Sequence, residues 1–312
     1  MAARPCTRQI MSPRVVWNHC LTLTCNIQLG FRHNFRQLAA QVVDTPLADI
    51  VEETKRIIES ADKQGITLRL FGGMAIRFHC PSATHRSLER KYADIDVMAL
   101  KRQSHEIKKF FPDLGYSPRK IFNAMSGDKR LIFNDIDRGR RVDIFLDKFE
   151  MCHKFDFTSR LTLDKPTISL ADLLATKLQV VQMTEREYRD IIAVVHDHEI
   201  GDSDAPETIN GSYLAQLCAD DWGIYKTFTI NIANILGALD GYTLDIKEKE
   251  IVRQRLNNLK SRIENAPKSM GWKMRAKIGE KKRWYELPEG DKEVVDSDFG
   301  PTKKHTEASS GP

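Results

Sequence analysis

Three aspartates in two short apolar segments are the residues of this 312-residue chain whose types and spacing best suit chemistry. Asp94 and Asp96 stand two positions apart, and on a β-strand such side chains project from the same face. Adjacent carboxylates repel each other and need a cation to stay ionised together. Because hard oxygen ligands suit Mg²⁺, the pair predicts a magnesium site. The alternative is an ordinary solvated strand face.

Asp143 lies among apolar residues in the segment Arg141–Leu146, which predicts a charge on a largely buried strand. A buried carboxylate costs free energy unless it is paired or binds a metal. If this strand lies beside the one that carries Asp94 and Asp96, the three carboxylates form a metal-binding triad. Such a triad can hold two metal ions about 3.5–4 Å apart, one at the attacking oxygen and one at the leaving oxygen. A salt bridge is the alternative role for Asp143.

The pair Gly72 and Gly73 stands between a predicted strand and a predicted helix. Glycine lets backbone amides approach an anion closely, and a helix N-terminus favours negative charge. The pair is therefore a candidate seat for the phosphates of a nucleotide, with a simple chain turn as the alternative.

Three segments, taken in this order, bring a known family into view. Leu70–Ile76, Ala93–Val97 and Val142–Phe145 together resemble the polymerase-beta-like nucleotidyltransferase superfamily. In that family a Gly-Gly or Gly-Ser motif precedes an acidic-x-acidic motif and a later strand carboxylate. The resemblance implies a nucleoside triphosphate substrate and two Mg²⁺ ions held by the three aspartates. It also implies that Asp143 acts as a base toward the acceptor hydroxyl.

Two later segments, Ala171–Lys177 and Glu185–Ile192, resemble the AbiEii-type branch of that superfamily. This resemblance implies that Lys177 contacts the triphosphate or assists catalysis and that Asp190 orients it. The spacing of the nearby arginines departs from the family pattern, so no role is carried over to them. The resemblance covers roughly residues 46–200. For Lys177 the alternative is a surface lysine on an amphipathic helix.

Hydrophobic periodicity predicts an α+β core, a mixed sheet with flanking helices, followed by an all-helical domain. The core strands are predicted at Thr67–Phe71, Ala93–Leu100, Lys129–Asn134 and Arg140–Asp147, with an extended segment over Phe155–Leu163. Later helices are predicted at Ser169–Met183, after the capping box of Thr184, and at Gly211–Asp220, Asp221–Leu239 and Asp245–Asn265.

These patterns divide the chain into four parts. They are a poorly structured N-terminal extension at 1–45, a nucleotidyltransferase core at 46–165, a helical domain at 166–265, and a tail at 266–312 that is basic, then acidic and partly disordered.

Basic and aromatic residues concentrate between 251 and 285, where eleven Lys or Arg residues stand against two acids. Because bases stack on aromatic rings and phosphates attract cations, the part at 268–285, with Trp272 and Trp284, is a candidate face for tRNA or another nucleic acid. The alternative is a solvated amphipathic helix and tail. An antitoxin protein is a further candidate partner.

The composition indicates a globular chain, with 41% hydrophobic residues, 29% charged residues and a net charge of +5. No apolar run is long enough to cross a membrane. Six scattered cysteines without a CxxC pair predict a reduced, cytoplasmic protein. Residues 1–43 contain arginines but no acid, which leaves organelle targeting as the alternative.

Histidines and cysteines occur irregularly, at His79–Cys80, His85 and Cys152–His153, so no zinc site is expected. His196 and His198 are expected to act as charge or cap residues at a helix C-terminus.

The predicted function is the Mg²⁺-dependent transfer of a nucleoside monophosphate from a triphosphate to an acceptor hydroxyl, with release of pyrophosphate. Gly72, Gly73 and Lys177 would hold the phosphates. The acceptor is left open among tRNA, protein and small molecule. The alternative is a catalytically inactive binding module with the same fold.

Overall fold

The computed structural model describes residues 44–85 and 87–286 of the chain. The predicted N-terminal extension, except for its last two residues, lies outside this part, as do Arg86 and the acidic end of the tail. Among the helices described, none combines the length and the apolar character needed to cross a membrane.

A five-stranded mixed sheet forms the centre of the fold, with strands in the order β1-β2-β5-β4-β3. Its strands are β1 (Leu68–Phe71), β2 (Ile95–Ala99), β3 (Ser117–Pro118), β4 (Arg130–Asp135) and β5 (Arg140–Leu146). Within this sheet β2 and β5 pair in parallel, and the other neighbours pair antiparallel. Most residues of β2 and β5 are buried, which suits inner strands that are covered on both faces.

Four helices accompany this sheet along the chain: α1 (Ile50–Lys63), α2 (Gly72–His79), α3 (Ser104–Asp113) and α4 (Lys120–Ser126). The Asp49 carboxylate caps α1 by accepting hydrogen bonds from two amides of its first turn. The inner face of α1 buries Ile57 and Ile58 in the core. Because α2 begins at the residue after β1, the junction between strand and helix lies at the glycine pair.

A short hairpin of β6 (Lys148–Glu150) and β7 (Lys154–Asp156) follows the sheet. The extended segment predicted over Phe155–Leu163 is therefore wrong beyond Asp156, where the chain turns instead. The Asp156 carboxylate accepts hydrogen bonds from the amide and the hydroxyl of Thr158, an arrangement that favours a turn over a strand.

The second part of the chain is mostly helical, as predicted. Its helices are α5 (Leu170–Leu178), α6 (Glu185–Asp197), α7 (Gly211–Asp220), α8 (Trp222–Ala238), α9 (Ile246–Asn265) and α10 (Met270–Ile278). A short parallel pair, β8 (Glu199–Gly201) and β9 (Thr208–Asn210), lies between α6 and α7 and was not foreseen. The α+β core followed by a helical part is thus confirmed.

Helix α5 ends at Leu178, whereas the sequence pattern predicts a helix that continues to Met183. The amide of Asn231, on α8, donates hydrogen bonds to the carbonyl oxygens of Leu178 and Val180, both at 2.8 Å. These bonds satisfy carbonyls that the end of a helix leaves without intrahelical partners. A side chain distant in sequence therefore binds the backbone at the end of this helix, and the local sequence pattern does not contain that contact.

The segment just after residue 165 is attached to the sheet through β1. The amide of Leu70 donates to the carbonyl of Pro166, and the amide of Ile168 donates to the carbonyl of Leu70, each at 2.9 Å. The segment after residue 165 thus bonds to a strand of the core, although it leads directly into α5 of the helical part. The division of the chain into parts at 46–165 and 166–265 therefore stays a prediction.

Candidate active site

Asp96 and Asp143 are neighbours across two parallel strands. They are register partners in the ladder between β2 and β5, so their side chains project from the same face of the sheet. Asp94 lies just before β2 rather than inside it. The structure therefore places Asp96 and Asp143 side by side on two inner strands of the sheet, with Asp94 just before the first of these strands.

The electrostatic environment of Asp96 disfavours a free carboxylate. The pKa of Asp96 is raised to about 6, mainly by burial and then by the charges of Asp143 and Asp94, while the charges of Lys177 and Arg141 partly offset the rise. The crowding of negative charge is what a bound cation would relieve.

Gly72 allows the Asp96 carboxylate to lie against the start of α2. Its φ of +64° is a conformation that residues with a side chain rarely adopt. A Cβ atom at this position would lie 2.5 Å from Oδ2 of Asp96, so no larger residue fits here without displacing the carboxylate. Phe71 stands at the N-cap and offers no side-chain hydrogen bond to the first amides of α2. This N-terminus therefore suits an anion.

Gly73 likewise allows a close approach, in this case by the side chains of Arg90 and Tyr92. A Cβ atom here would collide with the Nη2 atom of Arg90 and would lie 3.0 Å from the ring of Tyr92. The guanidinium of Arg90 lies over that ring, 4.5 Å from its centroid. The glycine pair is thus a place of close approach as well as a chain turn.

Asp190, on α6, brings two cations together beside the glycine pair. Its Oδ2 atom lies 2.8 Å from Nζ of Lys177, and it accepts two hydrogen bonds from Arg90 at 2.9 and 3.0 Å. The carboxylate is only 2% exposed. Burial alone would lower the pKa of Arg90, but the hydrogen bonds and charge of Asp190 outweigh it and raise that pKa. Lys177 is therefore a partnered, mostly buried lysine, and the ordinary surface role is excluded.

The role of Arg90 could not be selected from the sequence, where it is one of several basic residues near the proposed site. Its importance follows from contacts with Asp190, a residue far away along the chain. No local pattern signals such a contact.

Asp143 is held by two arginines that the sequence analysis did not assign to the site. Arg130 donates to both of its carboxylate oxygens, at 2.6 and 2.5 Å, and Nε of Arg141 lies 3.4 Å away. Arg141 also reaches Asp94, at 3.7 Å. The signal for Arg130 was present in the predicted hairpin, because Arg130 and Asp143 are diagonal neighbours across β4 and β5.

The donor set fits a hard divalent cation, although the three carboxylates have not converged on one point. Among the described residues, Asp94, Asp96 and Asp143 do not form a set whose ligand atoms all lie within 4.8 Å of one another. The arginine pairs of Asp143 account for this, since they satisfy its oxygens from another direction. Carboxylate oxygens of this kind are the ligands that Mg²⁺ prefers, and in this structure those of Asp143 are bound by Arg130.

The basic segment at 268–285 packs against the rest of the helical part. The indole of Trp272 lies edge-on to Tyr225, and the Nε1 atom of Trp284 donates to Thr227. Arg275 lies over the ring of Trp222, 4.6 Å from its centroid. These aromatic rings are engaged within the chain, so the segment offers mainly its exposed lysines to a partner. A nucleic-acid partner stays a prediction.

An open cleft of about 400 Å³ lies beside α6. Its lining includes Tyr188 and Arg189, and Arg189 donates to the carbonyl of Glu89, the residue before Arg90. Arg189 directly precedes Asp190, and Glu89 directly precedes Arg90. The cleft therefore adjoins the two segments that carry the ion pair of Arg90 and Asp190.

Comparison with known proteins gives only distant similarity. The chain matches no protein-family model and no curated protein. The lincosamide antibiotic adenylyltransferase LnuA, in a lincomycin-bound crystal structure, is 18% identical with a TM-score of 0.34, covering 47% of this chain and 96% of its own. The antibiotic-resistance factor ANT(2'')-Ia, in a solution structure, is 11% identical with a TM-score of 0.30, covering 69% of this chain and 94% of its own. At this level of similarity, functional conclusions depend on the geometry of the chain itself.

Proposed function

We propose that this chain is a metal-dependent nucleotidyltransferase that moves a nucleoside monophosphate from a triphosphate to an acceptor hydroxyl. One observation carries the proposal: Asp96 and Asp143 are register partners, and Gly72 lets the Asp96 carboxylate lie against the uncapped N-terminus of α2. Carboxylates for a cation and amides for an anion are thereby placed next to each other. A metal-bound triphosphate needs both.

The binding roles follow from the charges that line this place. Asp94 and Asp96 would hold Mg²⁺, which when bound would neutralise charge on the phosphates and polarise the phosphorus under attack. The first amides of α2 would donate hydrogen bonds to the phosphate oxygens. Lys177, kept in place by Asp190, would bring a positive charge to the same oxygens. The chain's own contribution is positioning and charge complementarity, which dominate phosphoryl transfer.

The reaction itself exchanges one bond at phosphorus. The acceptor oxygen forms a bond to the α-phosphorus as the bond from that phosphorus to the bridging oxygen of the β-phosphate breaks. Pyrophosphate leaves with the bonding electrons. The proton of the acceptor hydroxyl passes to the carboxylate of Asp143, which must first part from Arg130 to receive it.

The acceptor remains a choice among tRNA, another macromolecule and a small molecule, and the AbiEii-type specificity with an antitoxin partner belongs to this proposal. The basic segment favours a nucleic acid, because Lys273, Lys277 and Lys281 are exposed on or beside α10. Substituting these three lysines by glutamate tests that choice without disturbing the packed aromatic residues. Weaker retention of tRNA by the triple variant, with unchanged nucleotide binding, would support it.

The test of the enzymatic function uses α-labelled triphosphates with RNA, protein and metabolite fractions as acceptors. The wild-type chain should transfer label in the presence of Mg²⁺, and Asp96→Asn should reduce transfer by at least about 100-fold. Asp113→Asn, which changes an exposed aspartate at the end of α3, is the matched control and should leave transfer unchanged.

The rival function is an inactive binding module. It predicts that the wild-type chain binds the triphosphate, that Asp96→Asn alters this binding, and that no fraction receives label from either protein. The presence of all three carboxylates on or just before the adjacent strands β2 and β5 favours the enzyme. Equal transfer by wild type and Asp96→Asn would overturn the proposed mechanism.

A further inference from the structure

A second group of potential metal ligands lies at the opposite end of α2 from the glycine pair. His79 is the last residue of α2, His198 directly follows α6, and Glu207 directly precedes β9. One ligand atom from each of these residues lies within 4.8 Å of the other two. We propose that His79, His198 and Glu207 form a binding site for a divalent transition-metal ion, with Zn²⁺ as the fitting ion.

The hydrogen bonds of His79 show which ring nitrogen faces the ion. Its Nε2 atom lies 2.5 Å from the hydroxyl of Thr167, and that hydroxyl donates its only proton to the carbonyl of Ile168. The hydroxyl must therefore accept from Nε2–H. In the neutral ring the lone pair then sits on Nδ1, which lies 3.5 Å from the carboxylate of Glu207. A lone pair and a carboxylate that face each other require a cation between them or a proton on the ring.

His198 presents the same nitrogen to the same carboxylate. Its Nδ1 atom lies 3.2 Å from Glu207, and its Nε2 atom lies 3.9 Å from the buried Sγ atom of Cys80. The two imidazole rings meet edge-on, 5.9 Å apart. Both histidines thus direct Nδ1 toward Glu207 while a neighbouring side chain faces the other nitrogen. This is the arrangement found around metal-bound histidine, where an outer partner fixes the ring.

The distances suit zinc. Zinc binds imidazole nitrogen and carboxylate oxygen at about 2.0–2.2 Å, so neighbouring ligand atoms of a tetrahedral site lie about 3.3 Å apart. Oε1 of Glu207 lies 3.5 Å from Nδ1 of His79, and Oε2 lies 3.2 Å from Nδ1 of His198, so each histidine faces one oxygen of the carboxylate at about this separation. Two nitrogens and one oxygen leave a fourth position for water or another ligand.

Glu207 adopts a backbone conformation that glutamate normally avoids. Its φ is +54°, in the left-handed region, and its side chain is 66% exposed, so core packing does not hold it there. The histidines, by contrast, are 8% and 4% exposed. A ligand role would explain why Glu207 adopts this strained backbone conformation, which directs its carboxylate toward the two histidines.

The location gives the site a mechanical consequence. The ion would join the C-terminal end of α2 to the chain on both sides of β8. Helix α2 carries Gly72 at its other end, and α6, which leads into His198, carries Asp190. Zinc would therefore hold together two helices that position the candidate active site, without taking part in its chemistry.

Zinc titration of the full chain, stripped of metal with a chelator, tests the site by calorimetry. The wild type should bind one more zinc ion than Glu207→Gln, which keeps the size of the side chain but loses the charged ligand. His105→Ala changes an exposed histidine on α3 and should bind zinc as the wild type does. Thr167→Val, which removes the outer partner of His79, should weaken binding by about 10–100-fold.

Glu207→Gly provides a second test that does not depend on measuring affinity. Without metal this variant should unfold at a higher temperature than the wild type, because glycine relieves the strain at φ +54°. With zinc the order should reverse, because only the wild type gains stability from the ion. Equal zinc binding by wild type and Glu207→Gln, or no rise in the unfolding temperature of the wild type with zinc, would show a histidine–glutamate ion pair only and would overturn the proposal.

Discussion

Arg130 holds both carboxylate oxygens of Asp143 on the strand next to Asp96. Asp143 is almost fully buried, so the guanidinium supplies the positive charge that the carboxylate needs in the absence of metal. The same contact prevents Asp143 from joining Asp94 and Asp96. The ion pair is therefore a competitor of the metal and of the proton that Asp143 is proposed to accept.

Arg130→Gln should destabilise the metal-free protein by about 3 kcal/mol, because it leaves a buried carboxylate with Arg141 as the main remaining cation nearby. Added Mg²⁺ should restore more stability to this variant than to the wild type, since the ion then has less competition for Asp143. Urea unfolding with and without Mg²⁺ measures both effects. An equal response of the two proteins to Mg²⁺ would contradict the competition. Arg102→Gln, at an exposed position two residues before α3, is the control.

Asp96→Asn should stabilise the metal-free protein near neutral pH, on the order of 2 kcal/mol, because the pKa of Asp96 is raised to about 6. The folded protein holds this proton more tightly than the unfolded chain, so the contribution of Asp96 to stability is full at low pH. It is lost as the pH rises through about 6. Asparagine does not titrate, so its advantage should appear over that range and level off above it. Urea unfolding in chelator from pH 4.5 to 7.5 measures the difference.

The control for this pH series is Asp113→Asn, which changes an exposed aspartate at the end of α3. If Asp96→Asn is no more stable than the wild type at pH 7.5, the crowding of charge around Asp96 is not real. If Asp96→Asn loses transfer activity and gains stability, the unfavourable carboxylate at position 96 is retained for function and not for stability.

Gly72→Ala should abolish activity and lower stability, because the new Cβ would lie 2.5 Å from the Asp96 carboxylate at a φ of +64°. Gly139→Ala is a matched control, since Gly139 has a φ of +63° and no neighbouring atom within 4 Å of its added Cβ. The control should show only the conformational cost, about 1–2 kcal/mol. Thermal unfolding and label transfer of both variants separate backbone strain from crowding. Equal losses in both proteins would argue against a close approach at Gly72.

Lys177→Met should raise the KM for the triphosphate and lower kcat, with a loss of stability of about 1 kcal/mol, because Asp190 keeps its two hydrogen bonds from Arg90. Asp190→Asn should be far more destabilising, since it leaves two cations without their carboxylate. Steady-state kinetics well below the unfolding temperature measure the first effect. Lys109→Met, on an exposed position of α3, is the control. Unchanged kinetics in Lys177→Met would restrict Lys177 to a structural role.

Much of the local structure follows from the sequence because neighbouring residues determine it. The capping box of Thr184 and Glu187 predicts the start of α6, and the structure contains both of its hydrogen bonds. The two-residue spacing of Asp94 and Asp96 predicts side chains on one side of a strand. Even here the prediction is incomplete, since Asp94 precedes the strand instead of lying within it.

Histidine roles illustrate what local reasoning misses. His79 ends α2 and His198 directly follows α6, and neither has a ligand-like neighbour at a regular spacing in the sequence. His198 was expected only to close a helix, which it does, by donating its amide to the carbonyl of Val194. Its ring meets His79 and Glu207 because β8 and β9 turn the chain back beside the end of α2. No rule of residue spacing predicts this path of the chain.

The sequence by itself determined which residues carry charge, which segments bury one face, and where glycine opens the backbone. These properties depend on a few consecutive side chains and on the periods of helix and strand. Tertiary structure alone decided that Asp143 pairs in register with Asp96, that Arg130 neutralises it, and that Asp190 joins Lys177 to Arg90. Those contacts join residues far apart in the chain, and they form where burial leaves a charge without water, so that each buried charge must find its partner in the folded protein.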